Sequence, residues 1–389
     1  MKKIYNVYDF GAVGDGIADD TAAVQAAIDE AAKEGAEVHF LPGFYSVGEL
    51  FLHPESVLTA NPNWGYGPND VGSTVLRQRY DEQRCVLNFN HASRVTVNGL
   101  TLQGKSYEGE CCGIYGEQEK LGITGAFRIE RTKVSGFALD GIHLRNIGCM
   151  SIRGCQFGFS GRDGMHFYNS PDIFILDTWM SGNRGCGYAG HDENCSVTMT
   201  GCRLEWNGIG VAIYGGSHYQ LTGNYIDRSY HEGVLMTAGY CKGYEVYCNT
   251  ITMTGNIIYR SGKEDPTCAQ LKMDRCVGVT VMGNNFCVGR DDLGAGVNSP
   301  EIGMQIKDCH QTVVVNNTLF MGATKTLIEQ SGNVDSYIEQ NPGSLYDQRM
   351  SEVRTLLPSA AAAISFIDPS VELVSAPNPD APEGRVQQW

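Results

Sequence analysis

The residues best suited to chemistry recur in one repeated pattern. Asp140–Gly–Ile–His–Leu–Arg145 is echoed by Asp163–Gly–Met–His–Phe–Tyr168. If the two segments hold equivalent places on neighbouring coils, Asp140 and Asp163 stand roughly 5 Å apart. A retaining glycosidase holds its acid and its nucleophile at that separation. Two such carboxyls also drive one pKa upward, so one residue type supplies both an acid and a base. His143 and His166 stand beside them, His166 to tune or position. Glu232, after His231, opens a later copy and is a further candidate acid. It falls three coils beyond Asp163, roughly 14 Å away by the rise per coil. Asp-Gly is also ordinary turn chemistry, which a repeated turn would repeat.

Strand alternation around these residues places Ile142, Leu144, Met165, Phe167, Val211 and Ile213 inside. It places His143, His166, Gln270 and Gln305 on one outer row. Arg145, Tyr168, His191, Tyr214, Lys272 and Lys307 fall on the next. The apolar face of a sugar packs on a ring, which nominates Tyr168, Tyr214, Trp179 and Trp206. Arg145, Lys272, Lys307 and Arg290 are suited to orient hydroxyls or a carboxylate. His143 and His191 join the binding set. Glu205, Asp192–Glu193 and the loop carrying Asp291–Asp292 are further carboxylates near the cleft. The clustered histidines are poor partners for a hard cation such as Ca²⁺. No CxxC pair is present, so spacing gives no zinc site, and no cofactor is expected.

The elements that must position these groups are legible from repetition. Met150–Ser–Ile–Arg–Gly–Cys155 matches Val197–Thr–Met–Thr–Gly–Cys202, Tyr219–Gln–Leu–Thr–Gly–Asn224, Ile251–Thr–Met–Thr–Gly–Asn256 and Val279–Thr–Val–Met–Gly–Asn284, with Asp177 and Asn317 at corresponding points. The markers are 22, 25, 22, 32, 28 and 33 residues apart. That period with strand-type alternation predicts an all-β fold, a right-handed parallel β-helix. Recurring Asn residues are expected to stack at one corner, and Cys149, Ser170, Cys195, Ser217, Cys276 and Cys309 at another. Asp19, Asp20 and Thr21 are N-cap types before an Ala-rich amphipathic stretch that Gly35 ends. This predicts a helix over about 19–34, capping the open end of the solenoid core. One domain is expected over 1–340, followed by a C-terminal extension over 341–389.

The chain has 389 residues, a net charge of −15 and a pI near 5.0. A phosphate chain needs a basic groove, so nucleic acid is not an expected partner. No apolar run approaches a membrane span. The start shows no apolar leader, which predicts a cytoplasmic protein whose 14 cysteines stay reduced.

The opening Tyr8–Asp–Phe–Gly–Ala–Val–Gly–Asp–Gly–Ile–Ala–Asp–Asp–Thr21, with Phe40–Leu–Pro–Gly–Phe–Tyr45 after the helix, resembles the start of pectate-lyase-like β-helix proteins. That superfamily includes polygalacturonases, other glycoside hydrolases, inulin fructotransferases and phage tailspikes. Leu139–Asp140–Gly141, Arg162–Asp163–Gly164 and Gln305–Ile306–Lys307 are similar to parts of the polygalacturonase motifs, although the Gly-His-Gly of that group is missing. The resemblance implies an enzyme that cleaves or transfers a glycosidic bond of an oligosaccharide or polysaccharide. The alternatives are a polysaccharide lyase and a non-catalytic, tailspike-like glycan-binding protein. Long flat sheets of this kind pair between chains, so a homotrimer is expected.

Overall fold

The computed structural model describes residues 3–61, 73–105, 107–122, 126–289 and 299–347. Arg290, Asp291, Asp292 and the C-terminal extension past residue 347 lie outside the described residues. Among the described residues, successive coils add short strands to three parallel sheets, of 13, 11 and 11 strands. The solenoid continues through the strand Gly343–Leu345, past the expected boundary at 340. This is the parallel β-helix predicted from the repeats.

The core is built by stacking like on like. Ile142, Met165, Tyr188 and Val211 follow one another in register, and all are fully buried. Burying such a side chain contributes about 1.5–3 kcal/mol. The Tyr188 hydroxyl would be costly there if unpaired. It meets the Tyr219 hydroxyl at 3.1 Å and accepts from Asn194 Nδ2 at 3.0 Å.

The Thr-Gly-Asn signature has a plain cause. Gly223, Gly255 and Gly283 adopt left-handed backbone with φ of 64°, 64° and 66°, which costs glycine nothing. The asparagine that follows turns inward. Asn224, Asn256, Asn284 and Asn317 form a buried column in which each backbone N–H donates to Oδ1 of the next, at 2.9–3.1 Å. Earlier coils fill the column with Cys155, Thr178 and Cys202. Asp177 is therefore not a member; it holds the left-handed place before Thr178.

The second corner also differs from expectation. Ser170, Cys276 and Cys309 are buried, but their column continues through Asn194 and Cys248. Cys195 pairs with Ser217 one residue further along, and Cys149, like Cys195, is only part-buried. None of the 14 cysteines forms a disulfide.

The capping helix is Thr21–Glu34, with Val24, Ala27, Ile28 and Ala31 buried against the first coil. Gly35 closes it in left-handed conformation. Asp20 occupies the N-cap without capping. Its carboxylate turns back to accept from Val13 N and Gly14 N at 2.6 and 3.2 Å, tying down the opening loop.

Candidate active site on the histidine-bearing sheet

The strands Ile142–Ile147, Met165–Tyr168 and Cys186–His191 lie side by side in one 11-stranded sheet. Their register puts His143 against His166 and Arg145 against Tyr168, with His191 following Tyr168. Just before each strand the chain passes very close to the next coil. A Cβ on Gly141 would sit 2.6 Å from the Gly164 carbonyl oxygen, and one on Gly164 2.8 Å from that of Gly187. Glycine is required there, and the aspartate before it is delivered to the edge of the sheet.

The two aspartates are spent on their neighbours. Asp140 is fully buried. Its carboxylate contacts His143 Nδ1 at 2.9 Å and accepts from Arg162 Nε at 2.8 Å, from Arg162 Nη2, and from the Asp163 backbone N–H at 3.1 Å. Burial pushes this carboxyl upward, but the bonds from Arg162 and His143 outweigh it and hold it at about 2. Asp163 is also buried; one oxygen meets His166 Nδ1 at 2.5 Å and the other accepts from Cys186 N at 2.5 Å. The site is therefore a pair of Asp–His units, i and i+3, stacked on adjacent coils.

Aromatic rings extend the stack. Tyr115 lies on His143 (centroids 5.3 Å, planes 11° apart), His143 on His166 (5.0 Å, 9°), and His191 on Tyr214 (4.6 Å, 13°). Tyr168 closes over His166 at 4.7 Å, and Arg145 covers Tyr168 at 4.2 Å. His166 Nε2 is buried among these rings without a hydrogen-bond partner. Burial and then the neighbouring His166 drive His191 down to about 3, so it is neutral at physiological pH. Burial raises the phenols of Tyr168 and Tyr214 and keeps them protonated.

Asp140, Asp163 and His166 present ligand atoms within 4.8 Å of one another. A cation placed there would face the Arg162 guanidinium, which already neutralises Asp140. That donor set suits an internal ion pair better than a metal.

Other predicted residues lie elsewhere. Glu232 holds the same column as Asp163 three coils on, before the strand Val234–Thr237, and ion-pairs with Lys272 at 3.6 Å. Lys272 pairs with Leu235 and Gln305, so it belongs to the His143–His166 row and not to the Tyr168 row. The expected alignment slipped by two residues because this coil lacks the marker glycine. Gln270 takes that place and is buried, not on an outer row; its Nε2 donates to the Cys287 carbonyl at 2.7 Å. Lys307 is in the Tyr168 row, but at its far end beside Asp274 and Ser331. Trp206 follows a strand of the adjoining sheet and packs on Arg228 and Lys263 at 4.8 and 3.9 Å. Trp179 lies on that adjoining sheet too.

Arg162 and Tyr115 were not singled out from sequence. Arg162 had a signal, standing next to Asp163 in the turn that passes Asp140 one coil earlier. Cys112–Gly–Ile–Tyr115 carries the same Gly-Ile step as Asp140–Gly–Ile–His143, and the register confirms Tyr115 against His143.

Comparison with known proteins agrees with this architecture. A family model described as right handed beta helix region matches residues 84–251 and 191–354, and one described as rhamnogalacturonase A/epimerase, pectate lyase-like matches residues 4–65. Mannuronan C5-epimerase AlgE5 of Azotobacter vinelandii is 29% identical over 253 residues, 60% of this chain and 24% of that protein. Alginate lyase 7 of the same organism is 33% identical over 174 residues, 41% of this chain and 20% of that protein. The chain thus spans about a quarter or less of the length of these two relatives. Among solved structures, the A-module of Azotobacter vinelandii mannuronan C-5 epimerase AlgE4 superposes with a TM-score of 0.62 at 20% identity, covering 88% of this chain and 98% of that one. On these matches, and on three parallel sheets wound coil by coil, the chain belongs to the right-handed β-helix family with a pectate-lyase-like N-terminus.

Proposed function

We propose that this chain acts on a polysaccharide or oligosaccharide containing uronic acid, removing the proton next to the sugar carboxylate. That step is common to C5-epimerisation and to lyase elimination. The observation that carries the reading is the use made of the two carboxylates. A retaining glycosidase needs one protonated carboxyl and one free carboxylate. Asp140 is ionised at neutral pH and its oxygens are engaged by Arg162, His143 and the Asp163 N–H. Asp163 is engaged by His166 and Cys186 N. Carboxylates held this way suit the orienting of an imidazole, as the aspartate does in a Ser-His-Asp triad.

With Nδ1–H directed at Asp140, the other nitrogen of His143 carries the lone pair of a general base. It takes the C5 hydrogen as a proton, and the electron pair spreads into the sugar carboxylate. Arg145, at the surface over Tyr168, supplies positive charge to that carboxylate. Delivery of a proton to the opposite face inverts C5. Expulsion of the oxygen on C4 instead breaks the glycosidic bond and leaves a C4=C5 double bond. Tyr168, protonated through burial, is the nearby donor. The names of the relatives, mannuronan epimerases and an alginate lyase, support a uronate substrate.

Hydrolysis or transfer by two carboxylates is the second reading, supported by the close approach of Asp140 and Asp163. Incubation with mannuronan, alginate and polygalacturonate in D₂O separates the two. Deuterium at C5 or ultraviolet-absorbing unsaturated ends is the expected result. New reducing ends with neither would replace proton abstraction by hydrolysis, and binding without turnover would leave a glycan-binding module.

A further inference from the structure

A second cluster of ligand-type side chains lies outside the histidine stack. The turn before the strand Val234–Thr237 carries His231 and Glu232. The next coil makes a longer excursion between the strands Ile257–Tyr259 and Ala269–Asp274, and this loop carries Asp265 and Cys268. Backbone bonds set the loop against the earlier turn: Gly262 N donates to the His231 carbonyl at 2.8 Å and Glu264 N to that of Tyr230 at 2.9 Å.

The pairing brings together an imidazole, a thiol and a carboxylate whose ligand atoms all lie within 4.8 Å of one another. Glu232 stands near the same thiol, and its negative charge pushes that thiol up, but it lies outside that mutual group of three. Asp265 uses one oxygen, Oδ1, to hold its own turn, accepting from Thr267 N and Oγ1 at 3.0 and 2.6 Å. Its other oxygen faces Cys268 Sγ at 3.4 Å. Glu232 is buried, and its cationic partner Lys272 is no nearer than 3.6 Å. That ammonium leaves the Glu232 carboxylate open to a closer cation. Two carboxylates converging on one thiol make a region of negative potential that favours a cation.

We propose that His231, Cys268 and Asp265 bind one divalent ion of the zinc class, with Glu232 beside them to balance its charge, stapling the 260–268 loop to the turn of the preceding coil. Sulfur, nitrogen and oxygen form a three-ligand set, open at a fourth place, that zinc accepts and calcium or magnesium does not favour. Binding releases the Cys268 proton to solvent and forms a thiolate–metal bond, with no change of oxidation state. Cysteines distributed without a CxxC pair conceal such a site in the sequence, because the ligands come from two coils.

The test uses the full chain, reduced and freed of metal by chelation, titrated with Co²⁺ and then Zn²⁺. One equivalent should bind, with a thiolate-to-cobalt charge-transfer band that Zn²⁺ abolishes. Cys268→Ser should lose the band. The buried Cys248–Cys276–Cys309 column, another place for a thiophilic ion, is left intact by that variant. Should Cys268→Ser lose its native circular dichroism, His231→Gln, at a part-buried position, takes its place. Its affinity should fall by more than the roughly 10–100-fold that loss of an outer-shell partner costs. A native chain without the band, a full band in folded Cys268→Ser, or unchanged affinity in His231→Gln overturns the assignment.

Discussion

His143 and His166 lie face to face on adjacent coils, ring centroids 5.0 Å apart and planes 9° from parallel, each with Nδ1 on the aspartate three residues before it. Because neither Asp–His pair is solvated on the aspartate side, the tautomer and tilt of each ring are set from beneath. Asp163→Asn keeps the shape but can offer His166 an amide nitrogen in place of an oxygen. His166 carries the ring on which the base His143 stacks, so we expect kcat to fall by about tenfold or more, equal to about 1.4 kcal/mol, with KM nearly unchanged. Steady-state kinetics on the substrate identified by the D₂O screen checks this. Asp140→Asn should lose activity and also stability, by about 2–3 kcal/mol in denaturant unfolding, because it weakens charged hydrogen bonds at a buried site.

Stability should fall on acidification in two stages. His191 is held at about 3 in the fold, below an unfolded value of about 6.5. Between these values the unfolded chain binds the proton more readily, so stability drops as pH falls, by at most about 1.4 kcal/mol per pH unit. Asp140 is held at about 2, below the ordinary 3.8. Its contribution is complete above that ordinary value and is lost as pH falls through about 2, about 2 kcal/mol in all. His191→Phe retains a ring against Tyr214 and should flatten the first stage while leaving the second. Thermal melts of the two proteins from about pH 7 to about pH 2 cover both stages.

Gly185 is a separate handle on the site. A Cβ there would stand 2.3 Å from Asp163 Oδ1 and 2.9 Å from the Arg162 carbonyl oxygen. Gly185→Ala must therefore push Asp163 off Cys186 N or shift the turn. Activity should fall more than tenfold while stability changes by about 1–3 kcal/mol, the usual cost of overpacking. If Gly185→Ala retains full activity, the position of Asp163 does not matter to catalysis.

The fold was legible because it repeats, and the site was legible only where it repeats. The Gly-Asn markers report a left-handed glycine and an inward asparagine, a local requirement that the coils of Asn224, Asn256 and Asn284 meet in the same two residues. The inward set from Ile142 to Ile213 followed from alternation alone and is buried throughout. Asp140, Asp163, His143 and His166 share one repeated strand and were found together for that reason. Lys272 was misplaced because its coil replaces the marker glycine with Gln270, so the alternation lost its anchor. Arg162 was overlooked because its partner Asp140 is a full coil away, a contact visible only once the register is known. Trp206 looked suitable by type, but its place after a strand of the adjoining sheet turns it to Arg228 and Lys263.

The asparagine column makes a prediction about stability alone. Asn256 Oδ1 accepts from Asn224 N and Nδ2 at 2.9 and 3.0 Å, and its own Nδ2 donates to the Leu221 carbonyl at 2.9 Å. Asn256→Ala leaves these buried groups unpaired, each at about 1–3 kcal/mol. A total loss of about 2–5 kcal/mol is expected in the urea midpoint with an unchanged slope, the loss being smaller where water enters the gap. Activity of the protein that remains folded should be unaffected, because Asn256 belongs to a different corner from the histidines.

Arg145 tests whether the substrate carries a carboxylate. Its guanidinium lies 4.2 Å over the Tyr168 ring, and its Nε is 3.4 Å from Glu117 Oε1 at the surface. The ring restrains the guanidinium, and the side chain is exposed, so it can meet a ligand as a preformed fork. A sugar carboxylate would gain a charge-assisted, two-pronged contact there; a neutral sugar would gain little. Arg145→Ala should raise KM on a uronate polymer by about 10-fold, equal to about 1.4 kcal/mol. On the methyl-esterified polymer, which has no charge to bind, the two proteins should have the same KM. Arg145→Lys separates charge from geometry, because an ammonium keeps the charge but neither stacks flat nor forks. It should recover less than half of the lost binding free energy. Equal losses on the charged and esterified polymers would place Arg145 in the packing of Tyr168 and not in substrate recognition.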